Sequence, residues 1–379
     1  MIKIAYVPQH SNYIPILRGG QRYDFGYSYP LQQLSNEGHF ELKVFLENKT
    51  LVNFSMKVTF PLFIGYQQDI PNYTHSILAI DEVSKMISKD KIENPLKPFL
   101  ELYSNNDLCK KLDEYKPDIV ISSYALDKME YNCKKIWICH EYWPETLREY
   151  LENKISTDII NTTIEMINKD MVEILSYFDY SITASLRSFS FIENTIKSKR
   201  INIYIPEGNS KIEWGKEKYI VLSASAGWFR SKEHLREVYP LIEMLDNRES
   251  KNIKLYLHCG HDLGLPKCDV IRNTYSLYDT FSPESVGCGI APKEYKSADP
   301  SKVYMYLSCG IPSFVHENNL ENFKDEIGVS AYSAEKAIES IENNIREKES
   351  NAILSSFRSN HNLETLKNQW LCFIKEILG

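Results

Sequence analysis

No run of about 18 apolar residues occurs anywhere in the chain, so no segment reads as a membrane-spanning helix. The opening MIKIAYVPQHSN turns polar at Gln9 and lacks the apolar stretch of a secretory leader, which gives the expectation of a cytoplasmic protein. Paired Cys-x-x-Cys spacing is missing. The eight cysteines (Cys109, Cys133, Cys139, Cys259, Cys268, Cys288, Cys309 and Cys372) stand apart, which excludes a zinc ribbon. Cys139, Cys259 and Cys288 lie in apolar runs and read as small buried residues in a reducing compartment. Gly-x-Gly-x-x-Gly is absent, so the dinucleotide fingerprint is not supported. Neither an internal repeat nor a low-complexity tract is found. An excess of positive charge is missing too: 44 Lys and Arg face 51 Asp and Glu, a net charge of -7. That argues against nucleic acid wrapped on the whole surface but leaves room for a local basic groove.

What is present is an alternation. Short apolar runs at Ile2–Val7, Glu41–Phe45, Asp118–Ser122, Lys135–His140 and Tyr180–Ala184 show little inside–outside period, as strands buried on both faces do. Helical stretches separate them, one around Tyr29–Asn36 that closes at Gly38. A strand is expected to end at Pro206, and the rhythm restarts at Tyr219–Ser223. It continues through Ile253–Cys259, Asp269–Arg272, Gly287–Ala291, Pro312–Val315 and Val329–Tyr332. Helices are expected at Lys232–Leu245, Lys302–Leu307 and Ser333–Lys348. The last stretch carries Leu363, Leu366, Trp370, Phe373, Ile374 and Ile377 on one helical stripe. The fold class expected is α/β: two Rossmann-like parallel-sheet domains facing a cleft. The boundaries read are 1–206 for an N-terminal domain, with 49–106 as an elaboration, 207–360 for a second domain, and 361–379 for a helix returning to the first. Ligands of such sheets bind beyond the carboxyl ends of the strands, so the cleft is the expected site.

Four segments carry residues suited to chemistry there. Arg18–Gln21 reads RGGQ in the loop after the first strand, where Gly19 and Gly20 let backbone N–H groups approach a phosphate or sugar. IWICHE ends a strand at His140, a donor suited to sugar hydroxyls. SASAGWFRSK brings Gly227, Arg230 and Lys232 to a helix start, where cations can neutralise a diphosphate. GCGIAPKEYKSADPSKVYMYLSCGIPSFV, from Gly287 to Val315, runs from a strand through a polar loop to Pro300-Ser301-Lys302 at a helix start, and the helix closes at Gly310. That start and Lys302 read as an anion site.

This last segment resembles the donor-binding region of GT-B glycosyltransferases, closest to the retaining glycosyltransferase family four. There the pattern is P-x-K-x-x-E-Y-L-A-x-G-x-P-V, against Pro300 to Ser313 here. Twin glycines match Gly19-Gly20, a helix end matches Ser35–His39, a strand-end histidine matches His140, and an I-P-N-G linker matches Ile205–Gly208. The family's two glutamates fall at Ser297 and Met305. Its ribose-binding role would then pass to a group such as Glu294 or Glu317. The family's arginine falls at Gly227, with Arg230 on the same loop as its substitute.

The resemblance implies a nucleotide-diphosphate sugar donor, a UDP-sugar favoured, with its diphosphate toward Lys302 and the charge neutralised by Arg230 and Lys232. His140 would hold sugar hydroxyls, and no cofactor is implied. An inverting route would need a base, for which His10 and Asp24 are the candidates. No Asp-x-Asp triplet occurs, so no obligatory metal is expected. The acceptor stays open among polysaccharide, lipid, small molecule and the modified DNA base of a phage. A non-catalytic nucleotide-sugar-binding or scaffold protein of the same fold is the alternative.

Overall fold

The computed structural model describes residues 1–8, 20–47, 100–103, 107–122, 132–140, 142, 144, 145, 148, 156–205, 207, 208, 210–223, 237–247, 252–258, 268–271, 283–296, 299, 300 and 302–379. The first half holds β1 (Lys3–Val7), α1 (Gly20–Asn36), β2 (Glu41–Glu47), β3 (Leu100–Tyr103), α2 (Leu108–Tyr115), β4 (Ile119–Ser122), β5 (Lys134–Ile138), α3 (Thr157–Leu175), β6 (Tyr180–Thr183), α4 (Leu186–Ile192) and β7 (Ser198–Arg200). Its seven strands are ordered β3-β2-β1-β4-β5-β6-β7, all parallel. The second half holds β8 (Lys218–Ser223), α5 (Tyr239–Asn247), β9 (Ile253–His258), β10 (Cys268–Ile271), β11 (Val286–Ala291), α6 (Lys302–Ser308), β12 (Ser313–Val315), β13 (Val329–Ala331), α7 (Ala334–Glu342), α8 (Ile345–His361) and α9 (Leu363–Leu378). Its six strands are ordered β10-β9-β8-β11-β12-β13, again all parallel. Each order reverses at its first strand, so the switch points lie between β1 and β4 and between β8 and β11.

The apolar runs form strands because helices cover both faces of each sheet. All of β4 and β11 is buried. Gly38 and Gly310 take φ of 83° and 65°, the left-handed values expected just past α1 and α6. Cys139 and Cys288 are buried free thiols. Cys259 and the expected helix start at Lys232 lie outside the described residues.

Several elements differ from the sequence reading. α1 starts at Gly20 rather than near Tyr29 and carries Pro30 inside. Proline at an interior position removes the N–H that would bond the carbonyl of the residue four back. Here that carbonyl, on Gly26, accepts instead from Tyr204 N at 2.9 Å. A Cβ on Gly26 would stand 2.7 Å from Ile203 Cβ and 2.9 Å from Tyr204 O. Gly26 and Pro30 thus form a notch that docks the segment joining the two halves. That segment, read as a strand ending at Pro206, belongs to neither sheet, and the sheet takes residues 198–200 instead. Its period of two is nonetheless used, because Ile201, Ile203 and Ile205 bury into the core. Residues 100–103, inside the stretch read as an elaboration, pair with β2 as the sheet edge; residues 49–99 lie outside the described residues. The helix expected over Ser333–Lys348 is broken at Asn344, whose φ is 52°; asparagine tolerates that conformation better than other side-chain-bearing residues.

One apolar cluster crosses from half to half. Ile4, Tyr27, Leu31 and Ile138 share it with Ala291, Tyr304, Leu307, Phe357 and Trp370. α9 crosses back to the first half. Lys367 Nζ lies 2.5 Å from Glu37 just past α1, Trp370 meets Tyr27 edge-on at 6.4 Å, and Phe373 meets Tyr180 at 5.8 Å. No helix among the described residues is long and apolar enough to cross a membrane.

Candidate functional site

The site is built where the carboxyl ends of the two sheets face each other. From the first sheet, β5 runs into His140 and its neighbour β6 runs to Ser185. From the second, β11 runs into the loop that leads to α6. The two meet directly: Ser185 Oγ donates to Asp299 Oδ1 at 2.9 Å, across 114 residues of sequence. Both side chains are buried. Ser185 also caps α4, accepting from Ser188 N at 3.1 Å. Beside it, the Arg187 guanidinium donates to the Asn318 carbonyl, and Asn318 Nδ2 donates to Glu294 Oε1 at 3.1 Å.

The loop after β11 is held from within the second half. The Asn319 side chain accepts from Tyr295 N at 2.8 Å and donates to Tyr295 O at 2.7 Å, fixing that residue by both backbone groups. The Tyr295 hydroxyl then accepts from Lys302 Nζ at 3.0 Å. Lys293 and Lys302 lie 5.7 and 5.6 Å from the same ring. Burial lowers the Lys302 ammonium to about 7, and Lys293 pushes the same way. Burial raises the Asp299 carboxyl to about 7, while the Ser185 hydroxyl, Arg200, the Leu186 N–H and Arg187 pull it down. A lysine and a carboxyl that both titrate near neutrality within one short loop are the kind of groups found where charge is handled.

Of the residues singled out from sequence, the structure places Lys302 at the first position of α6, Pro300 buried just before it, and Glu294 half-buried earlier in the loop. Met305 is 2 % exposed, so its thioether is enclosed by protein rather than open to solvent. His140 is half-buried, with its ring 6.2 Å from that of Tyr27 on α1. Gly20, read as part of the loop after the first strand, instead opens α1, and the backbone of Asp24 lies inside that helix. His10, Gly19, Gly227, Arg230, Lys232, Ser297 and Ser301 lie outside the described residues. Sequence reasoning missed Ser185, Arg187, Asp299, Tyr295 and Asn319. An aspartate directly before a helix-opening proline was a signal for Asp299; the amide pair of Asn319 left none.

No protein-family model and no curated protein sequence matches the chain. Solved structures do. A mutant of TarM from S. aureus, in complex with Fondaparinux, alpha-GlcNAc-glycerol and UDP, superposes with a TM-score of 0.62 at 9% identity, over 98% of this chain and 99% of that one. HepE from Anabaena, in complex with UDP and glucose, gives 0.60 at 11% identity over 99% and 100%. A glycosyltransferase from Rickettsia africae gives 0.57 at 13% identity over 100% and 98%. Another TarM structure matches in part, 69% of this chain on 56% of that one, with a TM-score of 0.50. The fold is GT-B. In GT-B terms, the contact between Ser185 and Asp299 spans the cleft between the two lobes, and Lys302 lies in the second lobe on the β11 side of its switch point.

Proposed function

We propose that this protein is a glycosyltransferase. It moves a sugar from a nucleotide-diphosphate sugar, a UDP-sugar favoured, to a hydroxyl acceptor in the cleft, without a metal ion. The observation that carries the reading is Lys302, an amine held half-buried at the β11 side of the switch point by the Tyr295 hydroxyl and depressed to about 7. A diphosphate brought to it restores its charge, and charge formed against an anion in a dry cleft is strongly stabilised. TarM and HepE, of the same fold, are held in complexes that contain UDP.

In this reading the diphosphate lies against Lys302, and Arg230 and Lys232, which follow β8 in the sequence, neutralise its charge. Gly19 and Gly20 bring the first lobe's backbone to the donor. His140, leaving β5 beside the strand that leads to Ser185, holds sugar hydroxyls. As the sugar–phosphate bond breaks, negative charge collects on the leaving diphosphate, where the Lys302 ammonium offsets it. The retaining route draws the acceptor proton onto that leaving phosphate. His10 and Asp24 are the candidate bases of the inverting route. The acceptor is a polysaccharide, lipid, small molecule or modified DNA base.

The test is a thermal-shift panel of nucleotides and nucleotide sugars with and without divalent metal. A ligand at a hundred times its dissociation constant adds about 2.7 kcal/mol. A shift with UDP or a UDP-sugar, unchanged by chelator, followed by turnover, supports the reading. A shift without turnover on any acceptor supports the non-catalytic alternative, and no shift at all removes both.

A further inference from the structure

We propose that Asp299 is a positioning residue: by accepting the Ser185 hydroxyl across the cleft, it holds against the first lobe the loop that carries Tyr295 and leads into Lys302 at the start of α6. The kinetic consequence rests on the transferase reading above; the structural one does not.

Three observations carry the inference. The bond joins loops of different sheets, and its two ends are 1% and 5% exposed, so solvent does not compete for it. Ser185 is fixed by its own cap on α4, which sets where Asp299 must sit. The same first turn of α4 reaches the other end of the loop as well. Arg187 donates to Asn318 O, Asn318 holds Glu294, and its neighbour Asn319 grips Tyr295 by N–H and C=O. The loop from β11 to α6 is therefore pinned to the first lobe at Asp299 and braced at residues 294 and 295. Lys302 follows Asp299 by three residues, so the latch sets the place of its amine. The charged groups that bear on Asp299 are Arg187 on α4 and Arg200 on β7. A hydrogen bond to a buried carboxyl is among the stronger ones available across such a seam.

The experiment uses the full chain and four proteins: wild type, Asp299→Ala, Asp299→Asn and Ser185→Ala. Asparagine keeps an oxygen that accepts from Ser185; alanine does not. In small-angle X-ray scattering, Asp299→Ala and Ser185→Ala are expected to show a larger radius of gyration than wild type, while Asp299→Asn stays with wild type. With a nucleotide sugar, the donor KM is expected to rise about tenfold in both alanine variants and to return toward wild type in Asp299→Asn, because a closed arrangement less often populated lowers apparent affinity in proportion. Should Asp299→Ala fail to fold, Ser185→Ala reads the same bond from the other side. Alanine variants with wild-type scattering overturn the proposal, and so does Asp299→Asn behaving like Asp299→Ala. Wild type that binds no nucleotide removes the transferase reading alone and leaves the scattering result to decide Asp299.

Discussion

Lys302→Met, combined with a change of pH, tests how the site handles charge. In the folded protein the amine sits at about 7, against its ordinary 10.5. Between those values the unfolded chain holds more protons than the folded one, so stability rises with pH through that window. Below about pH 7 the burial penalty is present in full. At 1.36 kcal/mol per pK unit the ceiling is about 5 kcal/mol. Methionine keeps the apolar stem and removes the charge, so Lys302→Met is expected to be the more stable protein at pH 7 by about 2–5 kcal/mol, with the difference closing toward pH 10. Binding gives the sharper assay. At pH 8 about a tenth of free Lys302 is protonated, and a bound diphosphate returns the amine toward its ordinary value, so UDP should take up about 0.9 proton. At pH 6 the amine's own uptake should fall to about 0.1, and protons released by the UDP terminal phosphate, whose second pKa is about 6, lower the net count further. Calorimetric titration in two buffers of different ionisation enthalpy reads that number directly. UDP that binds wild type at pH 8 with no proton uptake, or that binds Lys302→Met as tightly as wild type, refutes the reasoning.

Three other expectations follow from contacts in the lobes and at their seam. Asp299→Asn removes a carboxyl that burial raises from 3.8 to about 7. Between those values the folded state holds more protons, so wild-type stability falls as pH rises; the variant should lose that slope and gain up to about 4 kcal/mol above pH 7 in urea unfolding. Gly26→Ala places a methyl 2.7 Å from Ile203 Cβ and 2.9 Å from Tyr204 O. It should cost about 1–3 kcal/mol, and an unchanged urea midpoint would contradict the notch between α1 and the connecting segment. Trp370→Ala empties a fully buried position where α9 packs on Tyr27, and should cost about 3–5 kcal/mol by the same measurement.

The sheet interiors were legible because a strand buried on both faces has to be apolar throughout. Ile119–Ser122 and Ile136–Ile138 show it, and so does the terminal helix, whose Leu366, Trp370, Phe373, Ile374 and Ile377 all bury. The edges were not. Ser198–Arg200 is a polar tripeptide with one neighbouring strand among the described residues, so it needs no apolar run to pair. Helix α1 was read from about Tyr29, yet it runs from Gly20 through Pro30. Nothing local announces that the carbonyl it leaves unbonded is taken by Tyr204, far along the chain. The site divided in the same way. Lys302 was legible from its place after a proline at a helix start. Asp299 and Ser185 acquire meaning only when two sheets are brought face to face, and that is tertiary information.

The packing of α6 leaves little of that helix open to a ligand. Every residue from Val303 to Ser308 is buried. The helix comes down close on the sheet because Gly289 has no side chain: a Cβ there would stand 2.2 Å from the Tyr306 ring. The Gly-Cys-Gly run of β11 therefore serves helix packing, with Gly287 clearing Ile341 of α7 in the same way. A glutamate at position 305, where the resemblance to family four would put one, would be a buried carboxylate, heavily penalised unless paired. Met305 fills the same volume without that penalty. On the transferase reading proposed above, the residue of α6 offered to the donor is Lys302, and the groups that hold it are Tyr295 through its hydroxyl, Asn319 through the Tyr295 backbone, and Asp299 through the opposite lobe.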